Sequence, residues 1–455
     1  MRGPMSAAAT PRELSVLTRL ATPIVITQLG SMAMGAVDVL MLGHYSSDAL
    51  AASSLGRIWI MGTQLIAQGV LFGIDPLVAQ GFGARNPRAI SMAFQRGLIL
   101  AVLVSLPLLL GWLLTAEVLL ANDIDPLLAQ DAELYALGRI PGALFYLLFM
   151  AMRSWLQGRR ILAPALFVVV AGNLVNWLAN LLLINGAGPV PELGILGAGL
   201  ATSATQIALF GGLWWFVRRF RLQRGGWTGW SRDVWNAREL GRVMRIGIPI
   251  ALQLGLEVWA FQAATLRSGQ LGQREVAAHA VVMTLASIAF MVPLGIGMGA
   301  QTRVGNLIGA GRPEQARLAA RTALRAGATL MFLFALVLIF GDDWLPTLFS
   351  SDHAVLAYAA VALPVAGLFQ LFDGVQVIAS CILRGAGRTS VPVLCNLLAY
   401  YGIGLPLGSY WAFTRDWGFP GVWLGLAVGL ASAAPLLVVY VAYVFRPAGA
   451  DRLRV

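Results

Sequence analysis

Gly83-Ala84-Arg85-Asn86-Pro87 ends one apolar run and opens the next, and 226 residues later Gly309-Ala310-Gly311-Arg312-Pro313 does the same. The same offset carries Leu50-Ala51-Ala52, after Gly43, onto Val276-Ala277-Ala278, after Gly269. At an offset of 227, Leu156-Gln157-Gly158 falls on Leu383-Arg384-Gly385. Apolar helices rich in Gly and Ala match one another easily, yet these landmarks share nearly one spacing. The chain reads as an internal duplication: one half at 1–217, a second at 243–455, and an Arg-rich joining segment at 218–242.

The runs between the landmarks set the fold class. Of the 455 residues, 58% are hydrophobic and only 12% charged, and the mean hydropathy is +0.75. A water-soluble domain carries about 25% charged residues, so this chain could not clothe its surface in water. At about 20 residues per helix, its length allows roughly twelve crossings of a bilayer. The runs fall near 18–43, 55–82, 90–114, 133–153, 161–185, 194–217, 243–268, 276–302, 320–341, 355–383, 390–413 and 419–445. They are long and lack a period of two, and a spanning segment must satisfy its own backbone groups. The expectation is an all-α polytopic membrane protein of twelve transmembrane helices. The first run contains Asp38 and ends without a small-residue cleavage site, so it reads as a span and not as a removable signal.

Charge supplies the sidedness. The net charge is +11, and all 32 basic residues are Arg. The N-terminal segment holds Arg2, Arg12 and Arg19. Later clusters are Arg85, Arg88 and Arg96; Arg153, Arg159 and Arg160; Arg218 through Arg245; Arg303 through Arg325; Arg384 and Arg388; and the tail Arg446, Arg452 and Arg454. The intervening loops are acidic or nearly neutral, with Asp123, Asp125 and Asp131 in one and Asp342, Asp343 and Asp352 in another. Twelve spans place every Arg-rich loop on one face, the cytoplasmic one, with both termini there. Six spans per half is an even number. The halves are therefore parallel six-helix lobes related by a pseudo-two-fold along the membrane normal, with a cleft between them. Nucleic-acid binding needs a soluble basic face, which loop arginines do not make. Cys381 and Cys395 lie in apolar runs and suggest neither a disulfide framework nor a metal cluster.

Four acidic residues fall within spans: Asp38, Asp75, Glu257 and Asp373. A charge at the bilayer centre costs about 2.5–3.5 kcal/mol even on insertion scales, so such groups face the bundle interior and serve ions, protons or ligands. Asp75, followed by Pro76 near a helix end, reads equally well as structural. Asp38 lies five residues before Gly43, and Asn180 five before Asn185; Asn173, Asn176 and Asn180 form one stripe. Thr202 lies eight residues after Gly194, with Gln206 one turn deeper. These groups share the outer half of the first lobe. They offer hard oxygen ligands for Na⁺ or a proton-linked network; the plainer alternative is helix–helix hydrogen bonding.

Glu257 lies twelve residues from Arg245 and Asp373 eleven from Arg384, about 16–18 Å from the cytoplasmic ends. Gln253 shares a face with Glu257, and Gln370, Gln376 and Ser380 share one with Asp373. Two carboxylates at one depth repel unless they share a proton or cation. With no Arg expected at that depth, a salt-bridge partner is missing. Asp38, Glu257, Asp373, Gln253 and Gln376 are the candidate substrate-facing groups. Pro23 and Pro249 precede Asp38 and Glu257 on their spans and are candidate hinges, since proline removes a helix hydrogen bond.

Taken together, these residues resemble the multidrug and toxic compound extrusion (MATE) family, most closely its NorM-like bacterial branch. The matching stretches are Thr22-Pro23 with Val37-Asp38, Pro76-Leu77-Val78-Ala79-Gln80 with Gly83-Ala84, and Pro249 to Glu257. Ala277-Ala278-His279, Arg303-Val304-Gly305-Asn306 with Gly309, and Asp373-Gly374-Val375-Gln376 through Leu383-Arg384-Gly385 complete the set. The resemblance implies export of organic cations by antiport with Na⁺ or H⁺. It implies coupling by Asp38, Glu257 and Asp373, with Asn176, Asn180 and Thr202 in the first-lobe cation network. Some branches carry Asp where this chain has Asn180, which puts a purely protonic relay there in doubt.

No G-x-x-x-x-G-K-[ST] loop is present, so an ion gradient supplies the work. The leading reading is a monomeric, non-enzymatic multidrug exporter of the bacterial inner membrane. It needs no cofactor, and its partners are the lipid bilayer and small organic cations and drugs. The alternative is a lipid-linked oligosaccharide flippase of envelope biogenesis, which should line its cleft with cations. A passive channel or receptor fits the repeat and the deep carboxylates less well.

Overall fold

The computed structural model describes residues 9–186 and 191–446. Arg2, Arg452 and Arg454, counted above among the loop arginines, lie outside the described residues. Among these residues there is no strand, and twelve helices are long and apolar enough to cross a membrane. They are α1 (Pro11–Tyr45), α2 (Ser47–Gly83), α3 (Pro87–Leu113), α4 (Pro126–Gly158), α5 (Ala163–Ile184) and α6 (Gly194–Arg219). The second series is α7 (Ala237–Leu271), α8 (Gln273–Gly309), α9 (Pro313–Phe340), α10 (His353–Gly385), α11 (Ser390–Thr414) and α12 (Phe419–Val444).

Local chemistry explains where these helices start. Ser46 caps α2 by accepting from the amides of Asp48 and Ala49. Asn86 caps α3 through Ala89 N–H, Asp125 caps α4 and Asp352 caps α10. Pro87 and Pro313 both occupy the first turn of their helices, where a missing N–H costs nothing. The residue two before each proline is left-handed: Arg85 at φ 54° in one half and Gly311 at φ 69° in the other. Glycine takes that conformation without strain, whereas Arg85 does so at a cost.

Several helices run beyond their apolar cores, which corrects the placement of some arginines. α7 starts at Ala237, so Arg238, Arg242 and Arg245 are helical and not loop residues. Glu239 in its first turn stabilises this extension, reaching Arg96 of α3 at 3.2 Å and Arg242 at 3.9 Å. Arg153 lies inside α4 and Arg384 inside α10, both buried. Two spans are irregular. α2 is interrupted at Phe72-Gly73, three residues before Asp75 closes its next turn. α11 is wound as π-helix over Leu397–Gly404 and again over Tyr410–Thr414, a geometry often found at functional sites.

The described chain divides into two compact units. The N unit is Ile26–Ala251; the C unit holds the residues up to Val25 and those from Leu252 onward. Both boundaries fall inside helices, two residues past Pro23 and Pro249, and they are 226 residues apart. The first stretch of α7 therefore packs within the N unit and the first stretch of α1 within the C unit.

Glycines make both packings possible. In the N unit, a methyl group at Gly69 would clash with the Ala251 backbone, and one at Gly73 with Val243 and Gly247. In the C unit, a methyl group at Gly295 would clash with Val25, and one at Gly299 would sit 3.2 Å from Ala21 N. Each of these positions maps onto its counterpart by 226 residues. Small residues four apart let helix backbones approach closely where no hydrophobic force operates between them. The duplication legible in the sequence thus extends to the contacts within each unit.

Candidate functional site

The N unit gathers three of the expected groups around the Asp38 carboxylate. Asp38 of α1 is 6% exposed, and Asn176 and Asn180 of α5 are fully buried. Both amides donate to Asp38 Oδ1, Asn176 Nδ2 at 2.9 Å and Asn180 Nδ2 at 2.6 Å. Thr202 Oγ1 of α6 lies 3.2 Å from Asp38 Oδ2 and 3.1 Å from the Ala198 carbonyl. Hydrogen bonds to a charged acceptor are about twice as strong as neutral ones, so the network suits an ionised carboxylate. It leaves the Oδ1 atoms of Asn176 and Asn180 buried without partners. Orphaned buried acceptors are costly, and here two sit beside a carboxylate and a hydroxyl. Such a set of hard oxygens fits a small hard cation as well as it fits a proton.

Asn173 does not join this site. Its amide turns back to the Val169 carbonyl at 2.9 Å. Gln206 is buried, but its Oε1 has no partner and does not reach the carboxylate.

The C unit assembles a second polar interior. Asp373 of α10 is 3% exposed, and Glu257 of α7 is partly exposed. The two carboxyls are close enough to repel, and Tyr400 of α11 feels both. The expectation that no basic group reaches this depth was incorrect. Arg384 is only 5% exposed, donates from Nη2 to Gln253 Oε1 at 3.0 Å, and lies near enough to attract Glu257. Its position at the end of α10 looks like a loop in sequence, but its long side chain reaches back into the helix bundle. Three formal charges then share one interior, and one proton or monovalent cation brings their sum to zero.

Side-chain amides frame this cluster. Gln253 Nε2 donates to Ser380 Oγ at 3.2 Å, and Gln376 Nε2 to Asn396 Oδ1 at 2.7 Å. Gln370 Nε2 donates to the Ala286 carbonyl at 2.9 Å. Gln253 and Gln376, expected to face substrate, are buried with their amides committed to these partners. Tyr401 in the π-wound part of α11 donates to the Leu256 carbonyl at 3.1 Å, next to Glu257. The irregular helix thus bears on the carboxylate site.

Sequence reasoning missed the buried arginines. Arg139 of α4 is 7% exposed and is held by neutral partners, Tyr135 OH and Gln64 Oε1, each at 3.2 Å. Arg153 donates to Gln28 Oε1 at 2.7 Å and attracts Asp75, which gives Asp75 a structural counter-ion. A lone Arg inside an apolar run was the available signal. Pro23 and Pro249 lie inside α1 and α7, beside the unit boundaries. Among the described residues, no group of three or more His, Cys, Asp or Glu is placed to hold a metal ion.

Comparison with known proteins agrees with this architecture. The MatE family model matches residues 23–182 and again 249–410. The multidrug resistance protein NorM of Burkholderia vietnamiensis is 36% identical, over 94% of this chain and 95% of that protein. Multidrug and toxin extrusion protein 1 of Danio rerio is 30% identical, over 94% of this chain and 72% of that protein. Among solved structures, the eukaryotic MATE transporter AtDTX14 superposes with a TM-score of 0.90 at 25% identity, covering 98% of this chain and 99% of that one. The Vibrio cholerae MATE transporter VcmN shares the fold, with a TM-score of 0.83 at 20% identity and coverage of 98% and 99%. The two family matches begin at Pro23 and Pro249, the prolines that mark the unit boundaries, and with relatives of this identity along nearly the whole chain they show that it belongs to the MatE family of membrane transporters and is not an enzyme.

Proposed function

We propose that this chain is a secondary exporter that moves organic compounds, cations among them, out of the bacterial cell in exchange for entering Na⁺ or H⁺. The observation that carries the reading is Asp38, a buried carboxylate ringed by three donors with two orphaned amide oxygens beside it. Asp38, Asn176, Asn180 and Thr202 form one coupling site, holding Na⁺ or a proton. Glu257 and Asp373 form the other, with Arg384 setting its charge balance. The same carboxylates attract cationic drug when they are not neutralised, and Gln253 and Gln376 position the C-unit pair for it. The repeats 1–217 and 243–455, joined at 218–242, alternate access with bending at Pro23 and Pro249. The chain works as a monomer in the inner membrane with both termini in the cytoplasm, as the arginine distribution supports.

The names of the relatives, multidrug resistance and multidrug extrusion proteins, favour drug export over the flippase alternative. Inverted membrane vesicles test the reading. A cationic dye should accumulate in them when a Na⁺ or pH gradient is imposed, and the accumulation should collapse when that gradient is dissipated. Accumulation that survives loss of both gradients would overturn it.

A further inference from the structure

In the N unit, α3 and α6 both pack against α4. Between them lies a groove floored by α4 side chains, Met152 and Trp155 among them. The segment after α6 folds back over one end of it. Arg159 fixes that segment, stacking 4.6 Å from the Trp155 ring and donating to the Leu222 and Arg224 carbonyls at 2.8 Å each. Gln95 holds it a second time, through the Gly229 carbonyl at 2.6 Å. The result is an aromatic wall. Phe94 stacks on Trp155 at 4.5 Å, Trp227 meets Phe94 edge-on at 5.9 Å, and Trp230 meets Trp227 at 5.4 Å.

Two adjoining cavities of about 340 and 390 Å³ occupy the groove. The first, under the folded-back segment, includes Arg218, whose guanidinium lies 4.7 Å over the Trp214 ring. The second is lined only by apolar side chains and extends along α3 as far as Val102 and Leu103. From Phe94 to Val102 is about 12 Å along the helix axis. The site therefore has a cationic mouth among tryptophans and an apolar channel leading away from it along a spanning helix.

We propose that this groove binds one anionic phospholipid of the leaflet at the arginine-bearing face, its phosphate on Arg218 and an acyl chain along the apolar channel. Three observations select this occupant. Tryptophans gather where membrane headgroups begin. The folded-back segment and its flanks expose Arg221, Arg224, Arg232 and Arg238, a field that draws anionic headgroups. An amphipathic cation, the alternative guest for an aromatic wall, meets that same positive field. It also finds the faces of Trp155 and Trp214 already covered by Arg159 and Arg218.

The test uses the full chain reconstituted in phosphatidylcholine vesicles containing a fixed fraction of chain-brominated lipid, which quenches nearby tryptophans. Brominated phosphatidylglycerol should quench more than brominated phosphatidylcholine, and Arg218→Gln should remove that difference while Arg218→Lys keeps it. One basic side chain at an anionic surface corresponds to about a five-fold change in lipid preference. Arg218 is exposed at the end of α6, so neither substitution threatens folding. Equal quenching by the two lipids would overturn the proposal, as would a phosphatidylglycerol preference unchanged in Arg218→Gln. Loss of the difference on adding a quaternary ammonium dye would give the groove to a cation instead.

Discussion

A buried carboxylate is tolerable only if something compensates its charge, and Asp38 shows both halves of that problem. Three donors hold its oxygens, while the other polar atoms of two of those amides, Asn176 Oδ1 and Asn180 Oδ1, stay unsatisfied. A bound cation or proton changes that balance, and a ligand shifts a conformational equilibrium only by its differential affinity for the two states. Asp38→Asn removes the charge and should leave drug affinity insensitive to Na⁺ and pH through this site. Titrating drug binding of the purified variant against both ions checks it, and an ion dependence equal to that of the parent would assign coupling to the C unit alone. Asn180→Ala removes the 2.6 Å charge-assisted bond. At about 1.5–3 kcal/mol for such a bond, the coupling-ion concentration that alters drug binding should shift roughly 10- to 100-fold. In the C unit, Glu257→Gln and Asp373→Asn should each abolish coupled efflux while expression stays near normal, because neutralising one of two repelling carboxyls relieves strain. Dye efflux from cells, scored beside membrane protein yield, separates those outcomes. Asp38, Asn176, Asn180 and Thr202 were legible in the sequence because depth can be counted from helix ends. Arg384 was not, because counting locates a backbone position and not the reach of a five-bond side chain.

At the level of helices, hydropathy marks apolar cores well and ends poorly. The twelve spans were visible, but the first turns of α7 are held by Glu239 with Arg96 and Arg242, which hydropathy scores as loop. The π-wound stretches of α11 leave no periodic trace in so short a run. The exchange of first stretches between the units was invisible for another reason: apolar periodicity says which face is buried, not against which neighbour. Glycine positions carry that information once the contacts are known. Gly295→Ala would force a methyl group against Val25, whereas Gly299→Ala meets only a tight 3.2 Å contact. Overpacking costs about 1–3 kcal/mol, so Gly295→Ala should lower the thermal unfolding midpoint of the purified protein clearly and Gly299→Ala little. Equal midpoints for the two variants would mean that the first stretch of α1 is not tightly packed in the C unit.

For the whole molecule, the internal duplication was legible from three landmarks, and the fold and family matches repeat it at the same offset. The proposed sidedness rests on charge alone and has its own check. Cysteines placed beside Asp123 and Asp343 should react with an impermeant thiol reagent from outside intact cells, and one beside Arg224 should not; external labelling beside Arg224 would invert the topology. In the proposed exporter, drug and ion movements are two sides of one exchange, and thermodynamic linkage makes such coupling reciprocal. The most direct measurement therefore runs the exchange backward. Proteoliposomes holding the purified protein are given a drug gradient and no ion gradient, and internal Na⁺ and pH are followed. The account predicts that drug flow drives Na⁺ or H⁺ in the opposite direction, and that Asp38→Asn abolishes the opposed flow. Drug crossing the membrane with no opposed movement of either ion would contradict it.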